Sequence, residues 1–527
     1  MSDPTTMSRA EYNASRSPID GVLPEDFEDA ATNAGTAAED FADRDNILKM
    51  ATDALPIVGK LEQLKPESEY TWDDMGFARL FSDVFGGVCR YNTTAKEWYF
   101  YTGTVWKIDY GHVETSHLGK LLTTALMTYS VGIKDDKTRT AYVKKAAQYG
   151  QLKYRETMIK DSGCNNYITA EMLDREDRYF NCQNGTLDLE TLQLLPHDPD
   201  RLLSKISNVV YDPAARSELW ENTINEIMEA DKEKIDYLQR LFGYCLTADT
   251  SLERMWILYG PTARNGKSTI VETLLYLMGG DGGYGLTMKP ESLAQKTLKD
   301  GSRANEDIAR LENCRMVNAS EPEKRINLNC SLIKTLIGRD TVATRNLYER
   351  TRQFTPKFKL LLNTNHLPSV TDLTMFAGQK IVVIEFKRHF DKSEQDLHLK
   401  DKLRTAENVS GVFNWCLEGL KKFKESGLPT PPTIQAAIDE YEHDSDKIML
   451  FFDDCMTESK INSAVANVYD QYSSWCRRNN RQPEGKQGFI NELNARGLYK
   501  KTGTINGKTV RNVVAGWELL PEFNFYS

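Results

Sequence analysis

Met255-Trp-Ile-Leu-Tyr259, then Gly260-Pro-Thr-Ala-Arg-Asn-Gly-Lys-Ser-Thr269, then Ile270 to Met278, is the stretch that decides the fold. Five apolar residues in a row suit a strand buried on both faces, as in a parallel sheet. The segment after the loop reads as a helix closed by Gly279-Gly280. Strand, glycine loop ending in Lys-Ser, and helix are the three parts of a phosphate-binding loop. Gly266 lets backbone N–H groups turn inward toward phosphate oxygens, and the helix N-terminus adds its positive end. Lys267 supplies a mobile charge for the outer phosphates, and the Ser268 hydroxyl is placed to ligate Mg²⁺. Gly260, Asn265 and Thr269 complete the expected cradle for a nucleotide with Mg²⁺, and such a loop alone fits kinases, GTPases, packaging motors and helicases equally well. Gly260 and Gly266 enclose five residues where the usual pattern has four. Either the loop is one residue longer, or Gly260 plays no part.

Downstream, Arg315-Met-Val-Asn-Ala-Ser-Glu321 reads as a second strand ending in a carboxylate. Glu321 there could position Mg²⁺ and the attacking water, although an exposed loop glutamate before Pro322 explains it equally well in isolation. Phe358-Lys-Leu-Leu-Leu-Asn-Thr-Asn365 is a clearer strand, with Asn365 at its tip able to hold a water or the γ-phosphate. Lys380-Ile-Val-Val-Ile-Glu-Phe386 supplies another buried strand. Between them, Thr341 to Arg352 predicts a hairpin whose tip carries Arg345, Tyr348, Arg350 and Arg352, a basic and aromatic set suited to phosphate contact and base stacking.

The chain of 527 residues is too long for one ordinary domain, and 40% hydrophobic content is enough to bury several cores. Its net charge of −10 is unevenly spread: residues 1–50 hold 11 acidic and 4 basic side chains. That segment, poor in large apolar residues, is expected to be a disordered acidic tail. Acidity of the whole chain therefore does not exclude a nucleic-acid partner for the rest. Nine scattered cysteines without a C-x-x-C pair suit a reduced, cytoplasmic protein. No apolar run is long enough to span a membrane, and no signal segment opens the chain.

Residues 51–215 read as an α+β domain, in which Tyr179 to Leu189 forms a hairpin through Asn184-Gly185. Residues 134–160 hold eight basic and three acidic side chains, a pattern most often found on solvated helices. A helical lead-in at 216–250 precedes a nucleotide-binding core at 216–400, and 401–455 reads as further helix. In 456–527, two helices (Val465–Arg478, Gln487–Arg496) precede strands joined at Asn506-Gly507, the outline of a winged helix. From Arg477 to Arg511 there are nine basic and two acidic residues. Arg477, Arg478, Lys500, Lys501, Lys508 and Arg511 are the candidate DNA contacts of that unit.

The order Asn265-Gly-Lys-Ser-Thr269, Ser320-Glu-Pro322, Ile333-Lys-x-Leu-x-Gly-x-Asp340 and Phe358-Lys-Leu…Asn365-x-x-Pro368 resembles superfamily 3 helicases. The wording is most similar to phage and plasmid primase–helicases related to the poxvirus primase-helicase. Phe180 to Leu189, Leu241-Phe-Gly-Tyr244, Trp415-x-x-Glu-Gly-Leu420 and Tyr441-x-x-x-Ser-Asp446 extend the resemblance over roughly residues 75–455. It implies a multidomain α/β chain with an AAA+-like core, and a hexameric ring moving 3′-to-5′ on single-stranded or forked DNA. By the same resemblance Lys267 and Ser268 bind phosphate and Mg²⁺, Glu321 is the Walker B acid, Asn365 the sensor, and Arg345 and Arg350 line the pore. Lys334 falls where the family has a basic residue near the subunit interface. Lys380 falls at the place of the arginine finger, which Arg388 could supply instead, because a lysine lacks the guanidinium fork. About 70 residues before the matched region leave no room for a primase, so a separate primase or initiator is expected. A packaging translocase and a nucleotide-regulated origin-binding initiator are the alternative functions.

Overall fold

The computed structural model describes residues 49–50, 52–280, 282–295, 306–320, 326–344, 352–479, 481–521 and 523. All but the last two residues of the sequence-predicted acidic tail, Glu321 and the hairpin-tip residues Arg345, Tyr348 and Arg350 lie outside them, as does the side chain of Arg352.

Two compact units emerge, one of residues 1–101 and 107–170, the other of 102–106 and 171–527. The first has a small sheet whose strands Cys89–Asn92 and Glu97–Tyr101 are antiparallel, with Tyr167–Ile168 on the outer edge of Cys89–Asn92. Helix Asp74–Phe85 is started by Asp73, whose carboxylate accepts from the Gly76 N–H. Its apolar face meets helices Val113–Ser130, Asp136–Gln148 and Leu152–Ser162, with Phe77 stacked on Tyr149 at 4.0 Å.

The second unit is built on five parallel strands: β1 (Met255–Tyr259), β2 (Gly285–Met288), β3 (Met316–Ser320), β4 (Lys359–Thr364) and β5 (Ile381–Glu385). Their order across the sheet is β5-β1-β4-β3-β2. β1, β3, β4 and β5 are buried along almost their whole length, which is why each reads as an apolar run. Helices α1 (Lys232–Cys245), α2 (Lys267–Leu277) and α3 (Ala406–Ser426) belong to the same core. α1 and α3 cross at unusually close range. A Cβ on Gly419 would lie 1.8 Å from the Gln239 carbonyl oxygen, and one on Gly243 would lie 2.1 Å from the Leu420 nitrogen.

Two buried cations stand side by side at the amino ends of β3 and β4. Arg315 donates to the carbonyls of Leu246, Asp177 and Tyr179 and lies over the Tyr284 ring at 4.7 Å. Lys359 donates to the carbonyls of Thr247 and Asp249, just beyond the C-terminus of α1, and faces the Tyr244 ring. The negative end of a helix is a favourable place for both.

Residues 171–215, expected in the N-terminal domain, pack instead with the parallel sheet. Phe180 stacks on Tyr284 at 4.6 Å and on Phe413 at 5.1 Å, and the Tyr284 hydroxyl accepts from the Asn181 N–H. The apolar side of the 179–188 hairpin is thus completed by residues that arrive over a hundred positions later. The segment 102–106 joins them: Trp106 donates its indole N–H to the Pro199 carbonyl at 2.8 Å, and Asn181 donates to the Thr104 carbonyl.

A separate core closes the C-terminal end. Helix Lys447–Cys455, grouped by sequence with the preceding helices, places Phe451 and Phe452 in it beside Tyr472, Trp475 and Phe489. Helices Val465–Arg478 and Lys486–Ala495 precede strands Tyr499–Ile505 and Lys508–Val514, which are antiparallel about Asn506-Gly507.

Candidate nucleotide site

The loop between β1 and α2 is wrapped around one ammonium. Lys267, 2% exposed, donates to Asn365 Oδ1 at 2.8 Å, Asn265 Oδ1 at 3.0 Å and the Gly260 carbonyl at 3.3 Å. Asn265 turns its amide N–H back onto the Thr262 carbonyl at 2.6 Å, which folds the loop on itself. Gly266 has φ of 83° and precedes the first helical residue, Lys267, so the backbone enters α2 through a conformation that favours glycine. A side chain there would also strike Ile227, with Cδ1 only 2.3 Å from the position of a Cβ.

Gly260 is not an idle glycine. Its missing side chain makes room for the Asn265 amide and the Phe386 carbonyl, which would lie 2.1 and 2.9 Å from a Cβ. At both Gly260 and Gly266 a neighbour thus occupies the space a side chain would need. Two bonds then fasten the loop to the chain after β5: the Phe390 N–H donates to the Arg264 carbonyl, and His389 Nδ1 lies 2.9 Å from the Ala263 carbonyl. His389 and Phe390 carry no motif, so sequence reasoning missed them.

Lys267 and Asn365 come together because β1 and β4 are neighbours in register, Tyr259 opposite Thr364. The carboxyl ends of such strands form the crevice where open α/β sheets hold ligands. Ser268, in the first turn of α2, opens on a cavity shared with Thr287, Asn318, Ser320 and Asn363. Thr269, beside it, is half-buried. β3 ends at Ser320 beside β4. Asn318 and Asn363 were also missed, although an amide inside an apolar strand is a legible oddity.

The remaining candidates separate. Arg388 lies three residues past the carboxyl end of β5, where it pairs with Glu394 and covers Phe390 at 4.9 Å. Lys380 precedes β5, at the opposite edge, and pairs with Glu253 at 2.8 Å. Lys334, on helix Cys330–Ile337, bonds Asp372 at 2.6 Å and Thr374 at 2.8 Å, and holds the Asp372 carboxyl below its ordinary range. In the terminal unit Arg477, Arg478, Lys500, Lys501, Lys508 and Arg511 are all exposed. Among the described residues none of these six has a carboxylate within ion-pair distance.

Residues 78–229 match the family described as D5 N terminal like, and residues 443–512 match Poxvirus D5 protein-like. The chain carries domains of the D5 primase-helicase family. The chain is 25% identical over 332 residues to "Putative helicase L207/L206" of Acanthamoeba polyphaga mimivirus, a match covering 58% of the chain and 34% of that protein. With "Putative helicase 121R" of Invertebrate iridescent virus 3 it shares 21% identity over 478 residues, covering 76% of the chain and 49% of that protein. The chain thus spans between about a third and a half of the length of these two relatives. A solved structure of the NrS-1 C-terminal region aligns over 84% of the chain and all of its own length, with 10% identity and a TM-score of 0.45. Among the described residues no helix is long and apolar enough to cross a membrane.

Proposed function

We propose that this chain is an ATP-driven DNA helicase whose residues 216–400 form an AAA+-like phosphate-loop core of the superfamily 3 type. The observation that carries the reading is the bond between Lys267 and Asn365, a loop lysine and an amide set together at the carboxyl ends of adjacent parallel strands. Lys267 would exchange its amide and carbonyl partners for the β- and γ-phosphates, and N–H groups at the start of α2 would face the same oxygens. Asn365, released from the lysine, would then sense the γ-phosphate or hold the lytic water. Glu321 would act as the base that orients that water. Ser268 and Glu321 would hold Mg²⁺, and the oxygen-rich cavity beside Ser268 suits such a hard cation. Mg²⁺ neutralises charge on the transferring phosphoryl group when bound.

Assembly follows from the same reading. A homo-oligomer, as a hexameric ring, would place a basic residue of one subunit against the nucleotide of the next, with Arg388 the stronger candidate by position and chemistry and Lys380 and Lys334 the others. Arg345, Tyr348, Arg350 and Arg352 would grip single-stranded DNA and move with hydrolysis, in the 3′-to-5′ sense. The exposed, unpaired cations of the winged-helix-like terminal unit favour one added role, loading at an origin or fork in the host cytoplasm.

Strand release from a forked, fluorescently labelled duplex with ATP and Mg²⁺ tests the proposal. Wild type should release the strand, and Lys267→Ala should lower ATP turnover by more than about two orders of magnitude and abolish release. DNA-stimulated turnover without release would make the chain a translocase; undiminished turnover by Lys267→Ala would remove the site.

A further inference from the structure

Asn318 in β3 and Asn363 in β4 interrupt strands that are otherwise apolar at those depths. They are 1% and 3% exposed, and the Oδ1 atom of each has no hydrogen-bond partner among the described residues. A buried acceptor without a donor is destabilising, so two of them on adjacent strands call for an account. Their orientation is shared. Asn318 Nδ2 donates to Ser320 Oγ at 2.5 Å, and Ser320 stands opposite Asn363 in the β3–β4 register. Both amides line the cavity that Ser268 enters from the first turn of α2. The one carboxylate among the cavity's described residues, Glu272, is engaged by Lys400 at 2.7 Å and Arg404 at 3.6 Å.

What such a cavity suits is a set of water hydrogens. Mg²⁺ gives up its waters reluctantly and keeps several when it arrives with a nucleotide. Waters on a dication are strong donors, and a neutral amide oxygen accepts from them without displacing them. We propose that Asn318 and Asn363 hold the water shell of the nucleotide-borne Mg²⁺, as positioning residues that act through those waters. The inference rests on the nucleotide-site reading above and adds the two residues that would set its metal dependence.

The test compares binding of a fluorescent ADP analogue to the full chain in EDTA and in Mg²⁺. Asn318→Leu and Asn363→Leu should each bind as wild type does in EDTA, yet lose roughly threefold to tenfold of the tightening that Mg²⁺ brings. Asn363→Asp should instead enlarge that tightening, an opposite sign that a merely damaged fold would not give. An unchanged Mg²⁺ effect in both leucine variants, with normal binding in EDTA, would overturn this inference alone and leave the amides holding ordinary buried water. If the leucine variants fail to bind in EDTA, the aspartate variant decides: no gain overturns the proposal. A wild type that binds no nucleotide, or a Lys267→Ala variant that binds equally well, would remove the site reading and this inference with it.

Discussion

Lys359 and Arg315 are fully enclosed cations held by backbone carbonyls and aromatic rings, a costly arrangement that their pKa values register. Burial pushes the Lys359 ammonium down from 10.5 to about 7, and it also lowers that of Arg315. Below pH 7 Lys359 is protonated whether the chain is folded or not, and the folded state bears the whole burden of the buried charge. Between about 7 and 10.5 the unfolded chain binds the extra proton, so stability should rise with pH across that window. Thermal melts near pH 7 and pH 9 should show the rise in wild type and a smaller one in Lys359→Met. Equal slopes would mean that the lysine is charged throughout. These residues also mark the limit of reading side chains locally. Gly-Lys-Ser announces its chemistry through spacing, whereas Arg315 and Lys359 look like ordinary strand flanks until the carbonyls just beyond α1, and those of Asp177 and Tyr179, arrive. Gly260 shows the same limit, because only the fold reveals that Asn265 occupies its side-chain space.

At the scale of elements, the α1–α3 crossing explains two motifs that lie far apart in the chain. Leu241-Phe-Gly-Tyr244 and Trp415-x-x-Glu-Gly-Leu420 each place a glycine inside a helix, where it is locally unfavourable. The helices meet backbone to backbone at those glycines, and Arg240 fixes the contact by donating to the Lys422 and Gly427 carbonyls. Gly419→Ala should lower stability by about 3 kcal/mol or more, because the methyl group meets rigid backbone instead of a movable side chain. A urea midpoint within error of wild type would show that the helices can slide apart. β1, β3, β4 and β5 were legible because burial on both faces leaves an apolar run, whereas the short β2, with Thr287 exposed, was not. The partner of an in-helix glycine was not, because no local period encodes a contact between residues 243 and 419.

Over the whole molecule, charge is arranged against the chain's own sign. The exposed cations of the terminal unit belong to a protein of net charge −10. If they meet DNA phosphates, replacing Lys500, Lys501, Lys508 and Arg511 with glutamine should weaken DNA binding and flatten the slope of log affinity against log salt by up to about three. An unchanged slope would return them to ordinary solvated surface. Domain boundaries were the least legible feature, since Phe180 and Trp106 declare their allegiance only through partners supplied much later. The D5 N terminal like match, residues 78–229, likewise runs across the division after Ala170. The short segment 102–106 has a consequence for how the chain is made. It leaves the ribosome before residues 107–170, but its partners, Asn181, Pro199 and Leu203, are translated only after them. These five residues must therefore wait through the synthesis of the second stretch of the first unit, and a loop of 93 residues closes only when the Pro199 carbonyl meets the Trp106 indole.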